Sequence, residues 1–514
     1  EITRMYNTYY TNNLIQNGDF SEIGNEEVEN RDFSEIGSEK VTNSDFETLG
    51  SDLVNNGDFS NGGVGWQGSN TTYANGIATI AYASSGKLST TSGLNYTDGE
   101  TYKVSLTLKG SGGVVNINAD ESSSINTGGL NHNVTLNGET QNIEVYFQAD
   151  ANANNIVIQG VGATSYTFDV DNIVVKQTGI GWTKETGWTI ENGKAVANTT
   201  GTQQIYQNVG LVNGKTYKIS YSVSDFVSGA MYLSLNGNGF ISPPSTSDDN
   251  NVVHYVTYSG SDATIYFRGS PNVNASIDNV SVKEVGQDWS FGGGWSMGDG
   301  VAEADGSTSS ANILSQNVGL IAGKSYEFSF QSNRVSGTLF VRDNDDTTIY
   351  TLDSGTGTET QTFNLAWGGS GGTLKFYAYD YEGTIDNVSV KEVGQGWGTQ
   401  IPSGQTVEFV NGQLHIDYDS SGTQGSTGAY QSVLSLGKTY KTIIDIASVT
   451  GTFKVQVGNV IHTITTAGIK TFNNVSSDAA FFIGRKTNNQ SFEATINNVV
   501  VQQLNHKATN LMLN

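Results

Sequence analysis

The chain has 514 residues, enough for three or four domains of about 150 residues each, and 63 glycines against 4 prolines exclude collagen and proline-rich linkers. Hydrophobic residues at 36%, aromatics at 10% and charged residues at 15% describe a folded β-rich chain rather than a disordered one. A net charge of −25 argues against tracking nucleic-acid phosphates or an anionic membrane, and the lack of cysteine excludes disulfides, zinc–thiolate and iron–sulfur sites and a thiol nucleophile.

Residues 1–52 are built on a short repeat. Ile15-x-Asn17-x-Asp19-Phe20 recurs as Val28-x-Asn30-x-Asp32-Phe33, Val41-x-Asn43-x-Asp45-Phe46 and Val54-x-Asn56-x-Asp58-Phe59, thirteen residues apart each time. The fourth copy opens the first domain, so three copies are spare, and three later domains begin without one. Thirteen extended residues reach at most about 43–47 Å, further than the roughly 35 Å diameter of a domain of about 108 residues. One repeat therefore spans one domain step. The expectation is strand complementation: Ile15, Asp19, Phe20, Val28, Asp32, Phe33, Val41, Asp45 and Phe46 complete unfinished sheets through main-chain bonds and buried apolar side chains. Within one chain this braces a rod, and between chains it makes a homo-oligomer or fibre. The other reading is a degenerate linker.

A larger unit of about 110 residues follows. Trp182 with Trp188, and Trp289 with Trp295, open two copies, with Trp397 keeping the first column and Trp66 the second. Each copy then shows Gly-x-x-Tyr, ending at Tyr102, Tyr217, Tyr326 and Tyr440. Each closes on one pattern: Val170-Asp171-Asn172-Ile173, Ile277-Asp278-Asn279-Val280, Ile385-Asp386-Asn387-Val388 and Ile496-Asn497-Asn498-Val499. Runs such as Tyr217-Ile219-Tyr221-Val223 alternate with a period of two, Gly and Asn clusters interrupt them at intervals of roughly ten residues, and no helical period appears. The fold expected is all-β: four antiparallel β-sandwiches with jelly-roll connections at 53–176, 177–284, 285–394 and 395–504. Residues 509–514 echo 12–17, and 505–514 read as the start of a further segment of a longer protein.

Asn56-Gly57-Asp58-Phe59, Trp66, Gly214-Lys215-Thr216-Tyr217 and Ile277-Asp278-Asn279-Val280-Ser281-Val282 together resemble the carbohydrate-binding modules of families four, nine and twenty-two, which are galactose-binding-like jelly rolls. The run Asp-Phe-Ser-Glu-Ile-Gly, with tandem Val-Lys-Glu-Val-Gly-Gln at 282–287 and 390–395, resembles appendage proteins of marine tailed bacteriophages. In the resembling modules the closing-strand Asp helps hold a structural calcium, which would assign that role to Asp171, Asp278 and Asp386. Ser60 and Asn497 depart from that pattern, standing where an acid is usual.

By period-two phase, Asp278 falls with Val280 and Val282 and points into the core, as do Asp171 and Asp386 in their strands. A buried carboxylate needs a partner, which neighbouring backbone N–H groups also supply. The same phase leaves Tyr377, Tyr379 and Tyr381 outward, the best candidate platform for stacking sugar C–H faces. The Trp columns read as core or domain-junction packing. The acidic runs 343–346 and 247–250 read as solvated turns, Gly368–Gly372 lacks the helix of a nucleophile elbow, and His132, His254, His415, His462 and His506 share neither spacing nor repeat column.

The functional expectation is a non-enzymatic structural appendage of a tailed phage, a tail fibre or capsid-attached fibre at the virion surface, reaching for host-surface glycans. Its partners are copies of itself and other virion or surface proteins. No nucleic acid, membrane insertion or cofactor beyond structural calcium is expected. The alternatives are a polysaccharide-binding array of a secreted enzyme, and a bacterial adhesin or filament subunit.

Overall fold

The computed structural model describes residues 4–120, 128–235, 239–269, 272–422, 425–485 and 490–510, and every helix or strand among them is a β-strand. The strands gather into two compact units, Ile36–Val285, and Gly286–Asn514 together with Glu1–Glu35. Each unit holds two antiparallel sandwiches. The first runs from the strand Trp66–Ser69 to Tyr166–Gln177, the second from Thr183–Lys184 to Asn274–Val285, the third from Ser290–Phe291 to Thr373–Val393, and the fourth from Gly398–Gln400 to Phe492–Asn510.

The second sandwich shows the plan. One sheet orders its strands Trp188–Glu191, Lys194–Asn198, Asn274–Val285, Thr216–Ser228 and Asp249–Thr257. The other orders Thr183–Lys184, Gln204–Asn208, Thr264–Gly269, Met231–Leu235 and Gly239–Ser245. Non-consecutive neighbours in both sheets are the mark of a jelly roll. In the first and third sandwiches longer strands, Thr101–Asn118 and Ser325–Arg342, bend from one layer into the other, so a single ladder covers both.

Alternation places the core. Tyr217, Ile219, Tyr221 and Val223 are buried with polar residues between them, and Tyr326, Phe328 and Phe330 repeat this in the third sandwich. Gly-x-x-Tyr has a specific geometry. Gly99, Gly214, Gly323 and Gly437 sit at φ of 82°, 83°, 84° and 73°, where a Cβ is strained. The tyrosine hydroxyls of Tyr102, Tyr217, Tyr326 and Tyr440 then each accept the N–H of the residue five positions earlier, at 2.7–3.1 Å. Each turn is thus tied to the buried strand that follows it.

Each closing strand is bulged. In the first three sandwiches Asn172, Asn279 and Asn387 adopt φ of 53°, 54° and 51°, and the ladder shifts register beside them. Ile277 and Val280, three apart, are both buried as a result. This corrects the strict alternation that placed Asp171, Asp278 and Asp386 in the core: the extra residue turns each carboxylate to a half-buried site at the bulge.

Candidate functional site

The thirteen-residue repeats occupy grooves beside the closing strands, and they do so in reverse order. The first repeat docks on the fourth sandwich, the second on the third, the third on the second, and the fourth on the first. In the first of these, Leu14 donates its N–H to the Val501 carbonyl at 2.8 Å, and Val501 donates to the Asn13 side chain at 2.9 Å. Ile15 is buried. Gln431 then brackets the next residue, donating Nε2–H to the Gln16 carbonyl at 2.8 Å and accepting the Gln16 N–H at 3.1 Å. Asn17 and Phe20 are left-handed, at φ of 45° and 56°, so Asn17–Phe20 forms a tight turn that drives the Phe20 ring into the core, 5.3 Å from Trp397 and 5.7 Å from Phe409.

The contacts recur in all four grooves. Trp66, Trp182, Trp289 and Trp397 donate their indole N–H to the carbonyls of Asn56, Asn43, Asn30 and Asn17 at 2.9, 3.1, 3.1 and 3.0 Å. Trp66 thereby belongs with the first tryptophan column, not the second: its repeat is continuous with its own sandwich, so the spacing differs while the contact is the same. The amides of Ile173, Val280, Val388 and Val499 donate to the carbonyls of Gly57, Ser44, Arg31 and Gly18 at 2.8–2.9 Å. Asn13, Glu26, Glu39 and Asp52 accept the closing-strand amides of Val501, Val390, Val282 and Val175. Val28, Phe33, Val41 and Phe46 are buried like Ile15 and Phe20. Asp19, Asp32 and Asp45 lie at the surface instead, each accepting the N–H two residues on, from Ser21, Ser34 and Glu47. Hydrogen bonds from Ser34 hold the Asp32 carboxyl below the usual range.

The bracketing glutamines were missed in the sequence. Gln207 and Gln316 make the same paired bonds to Thr42 and Glu29 as Gln431 makes to Gln16. Their signal is visible in hindsight, as Gln207-Asn208-Val209-Gly210-Leu211 and Gln316-Asn317-Val318-Gly319-Leu320.

Asp171, Asp278 and Asp386 each accept the N–H of the following Asn at 2.6 Å. Burial pushes the Asp278 and Asp386 carboxyls up, with a further upward push from the charges of Asp45 and Asp32 respectively. Among the described residues no three His, Cys, Asp or Glu side chains group as metal ligands. Asp343 caps its own turn by accepting the N–H groups of Asp345 and Thr347. The histidines lie apart: His254 stacks on Tyr221, His415 faces Thr495 and Glu493, and His462 bonds Asn474, while the side chain of His506 lies outside those described.

The tyrosine platform is partly as expected. Tyr377 and Tyr379 face outward with ring centroids 6.5 Å apart, and Tyr379 is 47% exposed. Tyr381 is fully buried against Trp295, because Asp380 at φ 52° inverts the alternation between Tyr379 and Tyr381. Burial pushes its hydroxyl pKa up, and the group donates to the Thr384 carbonyl. Phe340 takes its place on the outer face, stacked 6.2 Å from Tyr377, with the Arg342 guanidinium 4.2 Å above the Tyr377 ring. The second sandwich carries a matching face on the same strands. Tyr206 and Tyr266 lie 5.2 Å apart, Tyr232 and Phe240 4.7 Å apart, and Arg268 sits 5.3 Å over Phe240. This face went unread although Ile265 and Phe267 had set the phase: the residues between and after them, Tyr266 and Arg268, are the outward ones. In the first sandwich the corresponding strands carry an asparagine network of Asn116, Asn131 and Asn133 instead.

No family model and no curated protein matches the chain. Among solved structures it is similar to one described as "CBM4 structure and function", at 20% identity over 23% of this chain and 99% of that one, with a TM-score of 0.21. A second is the N-terminal CBM22-1–CBM22-2 tandem domain of Paenibacillus barcinonensis Xyn10C, at 10% identity over 48% of this chain and 98% of that one, TM-score 0.17. A third comes from Sulfolobus Turreted Icosahedral Virus, at 12% identity over 65% and 92%, TM-score 0.19. With likeness this low, the functional reading rests on the faces and grooves of the chain itself.

Proposed function

We propose that this chain is a non-enzymatic extracellular array of glycan-binding sandwiches and serves as a virion appendage of a tailed phage, a tail fibre or capsid-attached fibre that meets host-surface glycan. The observation that carries the binding role is the pair of outward aromatic faces, Tyr377, Tyr379 and Phe340 in the third sandwich and Tyr206, Tyr266, Tyr232 and Phe240 in the second, each beside an arginine. Flat rings stack on sugar C–H faces, and the guanidinium supplies directional donors to hydroxyl or acidic groups. Two such faces on one chain multiply weak single-site affinities. The virion role is supported by the resemblance of the Val-Lys-Glu-Val-Gly-Gln units to phage appendage proteins. A glycan array probed with the full chain tests the binding role: binding is expected, and Tyr377→Ala with Tyr379→Ala should weaken it at least tenfold. Unchanged binding in that variant, with the fold retained, removes the third-sandwich face from the reading. Mass spectrometry of purified particles tests the virion role, and recovery only with secreted enzymes or cell-surface filaments overturns it.

A further inference from the structure

We propose that the four grooves are equivalent receptors for one short peptide sequence, and that the second, third and fourth sandwiches accept this peptide from a second copy of the chain as well as from their own. The evidence is the indifference of the geometry to connectivity. In the first sandwich the indole of Trp66 reaches the Asn56 carbonyl across 10 residues, and in the fourth Trp397 reaches Asn17 across 380, yet the bonds measure 2.9 and 3.0 Å. The Phe59–Trp66 and Phe20–Trp397 ring separations are both 5.3 Å. These tryptophan and ring contacts are the same for the tethered and the remote repeat, so they do not report which chain the repeat belongs to.

The recognised pattern is (Asn, Glu or Asp)-x-(Ile or Val)-x-Asn-x-(Asp)-Phe, starting at Asn13, Glu26, Glu39 or Asp52. Its first residue accepts a closing-strand amide, its aliphatic residue and Phe fill the core, and the tryptophan and closing-strand N–H groups take the two turn carbonyls. Most polar bonds go to the main chain, so the turn carbonyls of Gly18, Arg31 and Ser44 are read alike, while Gly18 and Gly57 lie where a Cβ would meet the closing-strand carbonyls of Val499 and Ile173. The fourth repeat is continuous with its own sandwich, which pins the register of the other three and leaves those three exchangeable. Exchange between copies makes and breaks the same contacts, so the balance is set by the effective concentration of the tethered repeat against that of the second chain.

A labelled peptide of residues 26–35 tests this on the full chain. The Phe33→Ala chain, whose own second repeat is weakened, should bind the peptide at least tenfold more tightly than the unaltered chain, and peptides of residues 13–22 and 39–48 should compete. The same peptide with Phe33→Ala should not compete. No binding by a folded Phe33→Ala chain, or equal competition by a scrambled peptide, overturns the proposal. Should that variant fail to fold, the cysteine-free sequence offers a second test. Chains carrying Gln16→Cys and chains carrying Gln431→Cys, mixed at high concentration and oxidised, should form a mixed disulfide dimer in excess over either homodimer. A mixed dimer no more abundant than the homodimers overturns it.

Discussion

Trp397 donates its indole N–H to the main-chain carbonyl of Asn17 at 3.0 Å, across 380 residues of sequence. The bond joins the start of the chain to its last described sandwich, and it is made beside a left-handed turn that buries Phe20. Phe20→Ala should therefore cost about 3–5 kcal/mol through the cavity it leaves. Trp397→Phe keeps most of the packing and removes one of two bonds to the Asn17 carbonyl, which still accepts the Phe20 N–H at 3.2 Å, at about 0.5–1.5 kcal/mol. Hydrogen exchange on the full chain locates the effect: the amides of Val499 and Val501, bonded to Gly18 and Asn13, should lose protection, while those of Val280 and Val282 keep theirs. Equal loss at both sites would mean that the grooves do not open separately.

The repeats were legible because short spacings and period-two runs are local. The thirteen-residue step, the Gly-x-x-Tyr turns and the closing strands all stand in the sequence with their buried residues marked. The pairing order was not legible, since Phe20, Phe33 and Phe46 carry the same motif and any of them suits any groove. Single left-handed residues defeated the rest. Asn279 shifts Asp278 out of phase with Val280, and Asp380 sends Tyr381 inward although Tyr377 and Tyr379 point out. The face of Tyr206, Tyr266, Tyr232 and Phe240 forms only when four strands align, and that register is tertiary information.

The phase inversion at Asp380 separates two neighbouring tyrosines by experiment. Tyr381 fills the core against Trp295, so Tyr381→Ala should destabilise by about 3–5 kcal/mol. Tyr379 is on the surface, and Tyr379→Ala should change stability by no more than about 0.5 kcal/mol while weakening glycan binding. Denaturant midpoints of the two variants decide it, and similar losses would place both rings in the core.

Burial raises the Asp386 carboxyl pKa above its ordinary value, so the native state binds more protons than the unfolded chain in the interval between the two values. Stability from this group therefore falls as pH rises through that interval and is flat above it. Asn497 occupies the corresponding position in the fourth sandwich and bonds Asp445 and Gln413, so an amide suits the site. Asp386→Asn should keep the fold, and its stability relative to the unaltered chain should grow from pH 4 towards pH 7. A difference that shrinks over this range would show the carboxylate to be stabilised at the bulge.

The buried Gln316 side chain tests whether the groove reads the peptide main chain from both sides. Its Oε1 accepts the Glu29 N–H at 2.9 Å and its Nε2 donates to the Glu29 carbonyl at 2.9 Å. Gln316→Leu removes both bonds and leaves a donor and an acceptor unpaired, at about 1–3 kcal/mol each where water cannot reach them. Gln316→Glu keeps the acceptor, but its ionised carboxylate faces the Glu29 carbonyl and only the protonated form restores a donor. The native state of that variant should hold its proton above the ordinary glutamate pKa of about 4.3, so its stability falls as pH rises beyond that value. Unfolding at pH 4 and pH 7 should find the Gln316→Glu chain close to the unaltered one at the lower pH and well below it at the higher. The deficit of Gln316→Leu should be the same at both. If the two variants behave alike at both pH values, the donor half of the bracket contributes nothing, and the closing strand and the tryptophan alone hold the repeat.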